Sequence, residues 1–203
     1  MKRLIILAAV VFVAGCNILP EAREAYYYAI EYEPPSDVPE PAEIDTARIL
    51  EPQVSPAYDR RQIVLRGDSA RYQYLSDDMW GVELGAALQL LFERFYEDVP
   101  TFTAVRGEFD TADAQYEIHM AVRRVEYVQG DPPRTRVELL YELRESGDDG
   151  TTLARHTTDY NEPTGSNGGL EQFVADVNRI MLDSISAFDT EIRENLAASP
   201  NNS

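Results

Sequence analysis

The sequence predicts an α/β fold: a single domain with a mixed, largely antiparallel central sheet and two long amphipathic helices packed on it. Two observations support this prediction. Residues 115–128 and 135–145 alternate apolar with polar side chains, which is typical of strands with one buried face. Residues 76–98 and 170–195 instead repeat their apolar residues every three or four positions, which is typical of amphipathic helices. Packing both helices on one sheet would bury both apolar stripes.

The first elements are predicted to be short strands. Residues 26–32, YYYAIEY, are aromatic and strand-prone. Residues 33–45 contain four prolines, five acidic residues and no basic residue, so we expect a surface crossing there. Segments rich in Ile, Val, Leu and Tyr follow at 47–54, 61–67 and 71–75. The last two are predicted to form a hairpin around a Gly-Asp turn.

The first helix is predicted to open at Ser76-Asp77-Asp78, because serine favours the N-cap position and acidic residues favour the first turn. It is predicted to end near Asp98, because Pro100 cannot continue a helix. Its apolar stripe includes Trp80, Leu84, Leu88, Leu91 and Phe95.

The second half is predicted to form a long hairpin, a further strand and the second helix. The first hairpin strand, residues 115–128, is predicted to bulge after Val122, where two arginines break the alternation. The threonine-rich segment 151–160 is predicted to be a further strand, in an edge or an amphipathic position. The helix spans about Leu170 to Asn195.

The amino terminus has the organisation of a secretory signal. Lys2-Arg3 precedes ten apolar residues, too few to span a bilayer, which needs about 20. Val13-Ala14-Gly15-Cys16 resembles the bacterial lipobox, in which the cysteine thiol receives a diacylglycerol, the signal is cut before it and the new amino terminus is acylated. We therefore expect lipidated Cys16 to be the first mature residue, because several acyl chains anchor a soluble domain stably.

The predicted organisation has four parts. They are a signal peptide over 1–15, a lipid-proximal tether over 16–25, a folded domain over 26–198 and a disordered tail over 199–203. A hydrophobic content of 44% and 12 tyrosines are typical of a folded domain rather than a disordered chain.

The charge excludes nucleic acid as a partner. The formal net charge is -18, and removal of the signal takes away Lys2, the only lysine, together with Arg3. Nucleic acids require basic patches, which such an acidic chain is poorly suited to provide.

The sequence contains no recognisable catalytic, metal or cofactor motif. His119 and His156 are the only histidines, and both lie on strand segments without a nucleophile or metal-ligand spacing around them. We therefore expect a protein that is not an enzyme and that carries no cofactor.

One cluster of residues stands out. Between Tyr58 and Trp80, four arginines alternate with aromatic residues. Arginine with aromatic residues is the composition of a protein contact core. The alternative, that these arginines pair with the chain's own carboxylates, remains open.

The same stretch resembles the auxiliary lipoproteins of ABC-type transport systems, the family that includes the PqiC lipoproteins associated with MCE-domain lipid transport. The matching features occur in order: the lipobox, the tyrosine-rich strand, the proline-bearing loop, the segment from Tyr58 to Gly67, and a tryptophan at the start of a long helix, here Trp80. The resemblance implies an α/β domain with a central sheet and flanking helices, and no enzymatic activity.

The resemblance also implies a function. We expect a membrane-anchored, periplasm-facing accessory lipoprotein of an MCE-associated ABC transport system for lipids or hydrophobic compounds. Its partners would be the membrane, through Cys16, an MCE-domain protein and the ABC permease and ATPase. Tyr58, Arg60, Arg61 and Trp80 are the candidates for the partner contact or for the fold beneath it. A homo-oligomer is compatible with this role.

The sequence leaves two other functions open. An envelope assembly factor that regulates a cell-wall enzyme would share the anchor and the domain, and a lipoprotein hydrolase would need a nucleophile and base that the sequence does not show. Asn17 after the cysteine resembles the outer-membrane sorting default of enteric bacteria, so the outer membrane is favoured over the inner.

Overall fold

The computed structural model describes residues 24–67, 71–147, 150–165 and 168–197, and within these ranges the chain forms a nine-stranded mixed sheet and two helices. The strands are β1 (Tyr26–Tyr28), β2 (Ala47–Ile49), β3 (Gln53–Val54), β4 (Gln62–Arg66), β5 (Tyr72–Trp80), β6 (Val105–Arg106), β7 (Tyr116–Val128), β8 (Arg134–Glu145) and β9 (Thr152–Pro163). The helices are α1 (Leu84–Asp98) and α2 (Leu170–Ala197). The predicted fold class is confirmed.

The sheet is built around β7. Along one side, β8 pairs antiparallel with the whole of β7, and β9 pairs antiparallel with β8. Along the other side, β2, β3 and β4 lie end to end and parallel to β7, from Ala47 opposite Tyr116 to Arg66 opposite Val128. β5 pairs antiparallel with β4, and β1 and β6 pair parallel with β5 and β2. The three longest strands, β7, β8 and β9, are therefore antiparallel, as predicted, and β9 is an edge strand.

A bulge in β7 keeps its apolar residues on one side of the sheet. The register with β8 shifts between Val122 and Arg124, so Arg123 is the extra residue. Val122 and Val125 are both at most 1% exposed, although a regular strand would place residues three apart on opposite faces. The predicted bulge is confirmed, and the arginines beside it lie on the polar side.

Both helices cover the same face of the sheet. Phe92 of α1 and Phe188 of α2 pack against Tyr141 of β8, with ring centroids 4.8 and 5.7 Å apart. The alternate residues of β8, which are polar except for Leu140, point away from the helices. The opposite face of the sheet, called the open face below, carries those polar residues.

The proline-rich segment is a surface crossing, as predicted, and the structure shows that it runs over the outside of the helix layer. The Asn178 side chain of α2 donates to the Ala29 carbonyl and accepts from the Glu31 amide. Further along, Arg193 donates to the Glu40 carbonyl over 2.8 Å. The segment thereby connects β1 on one side of the sheet with β2 on the other.

Two predicted boundaries are wrong. The first strand covers Tyr26–Tyr28 only, and Ser76-Asp77-Asp78 lies inside β5, which continues to Trp80 before α1 begins at Leu84. The reason is tertiary: β1 pairs with the last three residues of β5, and the Trp80 amide donates to the Arg61 carbonyl over 2.7 Å. These hydrogen bonds extend the strand past a sequence that favours a helix start.

Candidate docking surface

Arginine and tyrosine side chains stack in pairs on the open face, at the end formed by β4 and β5. The Arg60 guanidinium lies 4.0 Å from the centre of the Tyr74 ring, and that of Arg66 lies 4.6 Å from Tyr72. Tyr72 and Tyr74 keep 41% and 40% of their surface exposed. A cation over an aromatic face is attracted by the ring quadrupole, so each pair holds its two side chains in place at the surface.

A third pair extends the same surface to β1. The Arg61 guanidinium lies 5.2 Å from the Tyr27 ring centre and donates to the carbonyls of Trp80 and Gly81. Tyr27 is 59% exposed. We call the six residues of these three pairs the tyrosine–arginine surface; they are Tyr27, Arg60, Arg61, Arg66, Tyr72 and Tyr74.

A buried carboxylate supports this surface from beneath. The Glu126 side chain, on β7, is fully buried and accepts a 2.9 Å hydrogen bond from the Tyr58 hydroxyl. Tyr58 is 3% exposed and packs edge-on against Tyr72, with ring centroids 6.0 Å apart. Burial raises the pKa of Tyr58 above its ordinary value, and hydrogen bonding to Tyr72 and Glu126 raises it further. Tyr58 therefore stays protonated and positions both Glu126 and Tyr72.

Three arginines surround the same carboxylate. Arg66 Nη1 lies 3.8 Å from Glu126 Oε2, while Arg124 Nε and Arg136 Nη1 lie 3.8 and 3.6 Å from Oε1. Glu126 Oε1 is buried and has no hydrogen-bond partner among the described residues. The carboxylate is thus held by the charges around it and by Tyr58.

The pairing of β7 with β8 explains how these charges come together. Glu126 stands directly opposite Arg136, and Arg124 stands directly opposite Glu138. Opposite charges on directly facing residues stabilise a strand pair. Sequence reasoning missed Glu126, Arg124 and Arg136 as part of this surface. The signal that could have found them is the Arg123-Arg124 pair at the bulge, read together with the hairpin register.

The four candidate contact residues from the sequence lie in two layers. Arg60 and Arg61 belong to the tyrosine–arginine surface, whereas Tyr58 and Trp80 are buried. Trp80 is 2% exposed, ends β5 rather than lying in the helix, and packs against Phe173 of α2 with ring centroids 6.1 Å apart. Trp80 and Tyr58 therefore belong to the fold beneath the surface. The predicted lipidation site, Cys16, lies outside the described residues.

The histidines lie on different faces of the sheet. His119 lies 3.4 Å from Glu117 in an open groove of about 570 Å³ on the open face. His156 contacts Glu191 of α2 over 2.8 Å and Thr158 over 3.2 Å. Among the described residues, no group of acidic, histidine or cysteine side chains is arranged to hold a metal ion.

Neither α1 nor α2, the helices in the described part of the chain, is long and apolar enough to cross a bilayer.

Comparison with solved structures shows similarity of fold. A crystal structure of a Xanthomonas campestris protein from the family DUF330 is 20% identical, with a TM-score of 0.71, and the match covers 86% of this chain and 99% of that one. A crystal structure of an uncharacterized protein is 11% identical, with a TM-score of 0.61, covering 82% of this chain and 99% of the other. No curated protein matches the sequence.

The family is established by the sequence itself. Residues 28–185 match the family described as ABC-type transport auxiliary lipoprotein component. The match runs from Tyr28, the last residue of β1, into α2. It includes the other eight strands and the tyrosine–arginine surface apart from Tyr27. The chain therefore belongs to the ABC-type transport auxiliary lipoprotein component family.

Proposed function

We propose that this auxiliary lipoprotein serves its ABC-type transport system by docking a protein partner through the tyrosine–arginine surface. The single observation behind the proposal is the set of three arginine–tyrosine stacks exposed on the open face. Arginine and tyrosine are enriched at the energetically important centres of protein interfaces. The stacks also limit the freedom of both side chains, which lowers the entropy that binding would cost.

The proposed partner is an MCE-domain protein associated with an ABC permease and ATPase, and the proposed cargo is a lipid or another hydrophobic compound. Family membership and the resemblance of the segment from Tyr58 to Gly67 support this assignment. The protein acts in this proposal without catalysing a reaction. Its role is to hold a partner near the membrane.

The proposed anchor is a lipidated Cys16, with the domain facing the periplasm and the outer membrane favoured over the inner. A Cys16→Ser variant is then expected to lose the acyl label that the wild type takes up from labelled palmitate, and to keep its signal peptide, because the signal is cut only after the cysteine is lipidated. Equal labelling of the variant would contradict the anchor, and density-gradient separation of the two membranes would identify the one that holds the wild type.

Co-purification tests the docking surface. The wild-type lipoprotein, extracted in mild detergent from its own host, is expected to bring down the transport proteins. Replacing Arg60 and Tyr74 with alanine together is expected to reduce the recovered partner by about tenfold, since residues at the centre of an interface carry most of its binding energy.

The matched control uses a fourth arginine–tyrosine pair. Arg179 lies 5.6 Å from the Tyr160 ring, where α2 packs against β9, away from β4 and β5. Arg179→Ala removes a similar stack and is expected to leave recovery unchanged. Equal recovery with both variants would refute the docking surface, and recovery of cell-wall synthases instead of transport proteins would favour the envelope-assembly role.

A further inference from the structure

The charges next to the tyrosine–arginine surface do not balance. Arg123 and Arg124 both pair with Glu138, at 3.6 and 3.1 Å, and Arg66, Arg124 and Arg136 share Glu126. The arginine cluster, defined as Arg66, Arg123, Arg124 and Arg136, therefore sets four guanidinium groups against two carboxylates. Among these six ion-paired groups, positive charges exceed negative charges by two, on a chain whose formal net charge is -18.

The hydrogen bonds of this cluster are also incomplete. Each contact between an arginine and Glu126 is at least 3.6 Å long, beyond the range of a normal N–H to oxygen hydrogen bond. The Nε atom of Arg136 and Oε1 of Glu126 are buried and have no hydrogen-bond partner among the described residues. Buried polar groups are normally paired, so an unpaired donor next to an open surface indicates a site for an acceptor.

We propose that the arginine cluster binds carboxylates of an acidic segment of the docked partner protein. This inference rests on the proposed docking function and specifies its chemistry. Guanidinium groups match carboxylates in geometry and can bind them with two parallel hydrogen bonds. The exposed rings of Tyr72 and Tyr74 beside the cluster supply apolar contact for the rest of such a segment.

The extent of the patch favours a protein segment over a membrane surface. A bilayer is flat and wide, so it would also approach the acidic residues that give the chain its net charge of -18. An extended segment covers only the cluster and its neighbouring tyrosines. Charges farther away than about 8 Å are largely screened at physiological ionic strength, so a segment experiences mainly the local positive excess.

Peptide binding tests the proposal on the folded protein. The probe is a short fluorescent peptide of alternating glutamate and glycine, compared with the same peptide carrying glutamine. We expect the glutamate peptide to bind, with affinity falling as salt rises, and the glutamine peptide not to bind. Arg136→Gln is expected to weaken binding by about tenfold, the loss that corresponds to one charge-assisted hydrogen bond.

Two further variants sharpen this test. Glu126→Gln is expected to tighten binding several-fold, because it removes the carboxylate that competes for the arginines and keeps an acceptor for Tyr58. Arg179→Gln, on α2 and paired with Asp183, is the matched control and is expected to leave binding unchanged. If Glu126→Gln does not fold, the comparison of Arg136→Gln with Arg179→Gln still decides the result.

Several outcomes would overturn the proposal. The protein could bind the glutamate and glutamine peptides equally, or the two arginine variants could have equal effects on binding. It could also bind phosphatidylglycerol-containing vesicles in place of the peptide. Self-association of the protein that Arg136→Gln abolishes, without peptide binding, would assign the surface to a second copy instead. If Arg136→Gln does not change the co-purification of transport proteins, only the proposed binding of an acidic segment is refuted. If the peptide binds but no transport protein co-purifies, only the proposed function is refuted.

Discussion

At the scale of single residues, two buried tyrosines contribute differently to stability, because only one of them has a hydrogen-bond partner for its hydroxyl. The Tyr58 hydroxyl donates to the fully buried Glu126, so it satisfies a charge that would otherwise be costly. The Tyr96 hydroxyl, on α1, is buried without a hydrogen-bond partner among the described residues. Burial raises the pKa of Tyr96 well above its ordinary value, and the nearby Asp189 carboxylate raises it further.

Removing each hydroxyl is therefore predicted to have different effects. Tyr58→Phe is expected to lower the free energy of unfolding by about 1–3 kcal/mol, because it leaves the Glu126 carboxylate without its hydrogen bond. Tyr96→Phe is expected to be neutral or to stabilise by about 1 kcal/mol, because it removes an unpaired polar atom. Urea unfolding of both variants checks the difference, and similar losses of stability in the two would contradict it.

At the scale of elements, a polar cluster attaches the end of α1 and the proline-rich crossing to α2. Asp189 of α2 accepts hydrogen bonds from Thr101, just after α1, over 2.6 Å and from Arg193 over 2.8 Å. Arg193 in turn donates to the Glu40 carbonyl of the crossing. Asp189 is 4% exposed, so its charge depends on these donors.

Asp189→Asn is predicted to lower the free energy of unfolding by about 2 kcal/mol, because it weakens a largely buried, charge-assisted pair. Asp183→Asn is the matched control. Asp183 also pairs with an arginine four positions away on α2, Arg179, but both side chains are more than half exposed. The Asp183→Asn control is expected to lower the free energy of unfolding by no more than about 0.5 kcal/mol, and urea unfolding of both variants measures the difference. Equal costs would show that burial of the Asp189 pair adds no stability.

At the scale of the whole molecule, the sheet separates an apolar face from a charged one. The helices bury the apolar residues of β7 and β8, and the open face holds the arginines and carboxylates. Tyrosines occur in both regions. Burial raises the pKa of Tyr28 to about 12, with a further contribution from its hydrogen bond to Asp78, and burial raises the pKa values of Tyr58 and Tyr141 as well.

Stability is consequently predicted to fall in alkaline solution. A raised pKa means that the folded state holds the phenol proton more tightly than the unfolded state, whose tyrosines titrate near 10. The stabilisation is complete below about pH 10 and is lost as the pH rises through the value of about 12 for Tyr28. Tyrosinate absorbance followed together with circular dichroism checks this. Ionisation of all tyrosines near pH 10 with the fold intact would contradict it.

Local residue patterns were enough to predict most elements. The alternation along β7 and β8 predicted their hairpin, and the three- and four-residue spacing predicted α2 to within two residues of its observed end at Ala197. The bulge followed from Arg123-Arg124, because charged residues there would otherwise enter the core. These features depend on neighbours in the chain, so a sequence displays them directly. The ends of the shorter strands were not predicted correctly. β1 is shorter than predicted, and β5 occupies the residues that were expected to form the first turn of a helix.

The sequence alone determined the acidic, lysine-poor character of the domain, its alternation of strands and helices, and the lipobox motif at Cys16. It also indicated Arg60 and Arg61 as surface candidates, but it could not separate them from Tyr58 and Trp80. Only the tertiary structure decided that Trp80 is core and that Glu126 lies among arginines from β4, β7 and β8. The physical reason is distance along the chain, since Arg66 and Arg136 become neighbours only when β4 and β8 pair with opposite sides of β7.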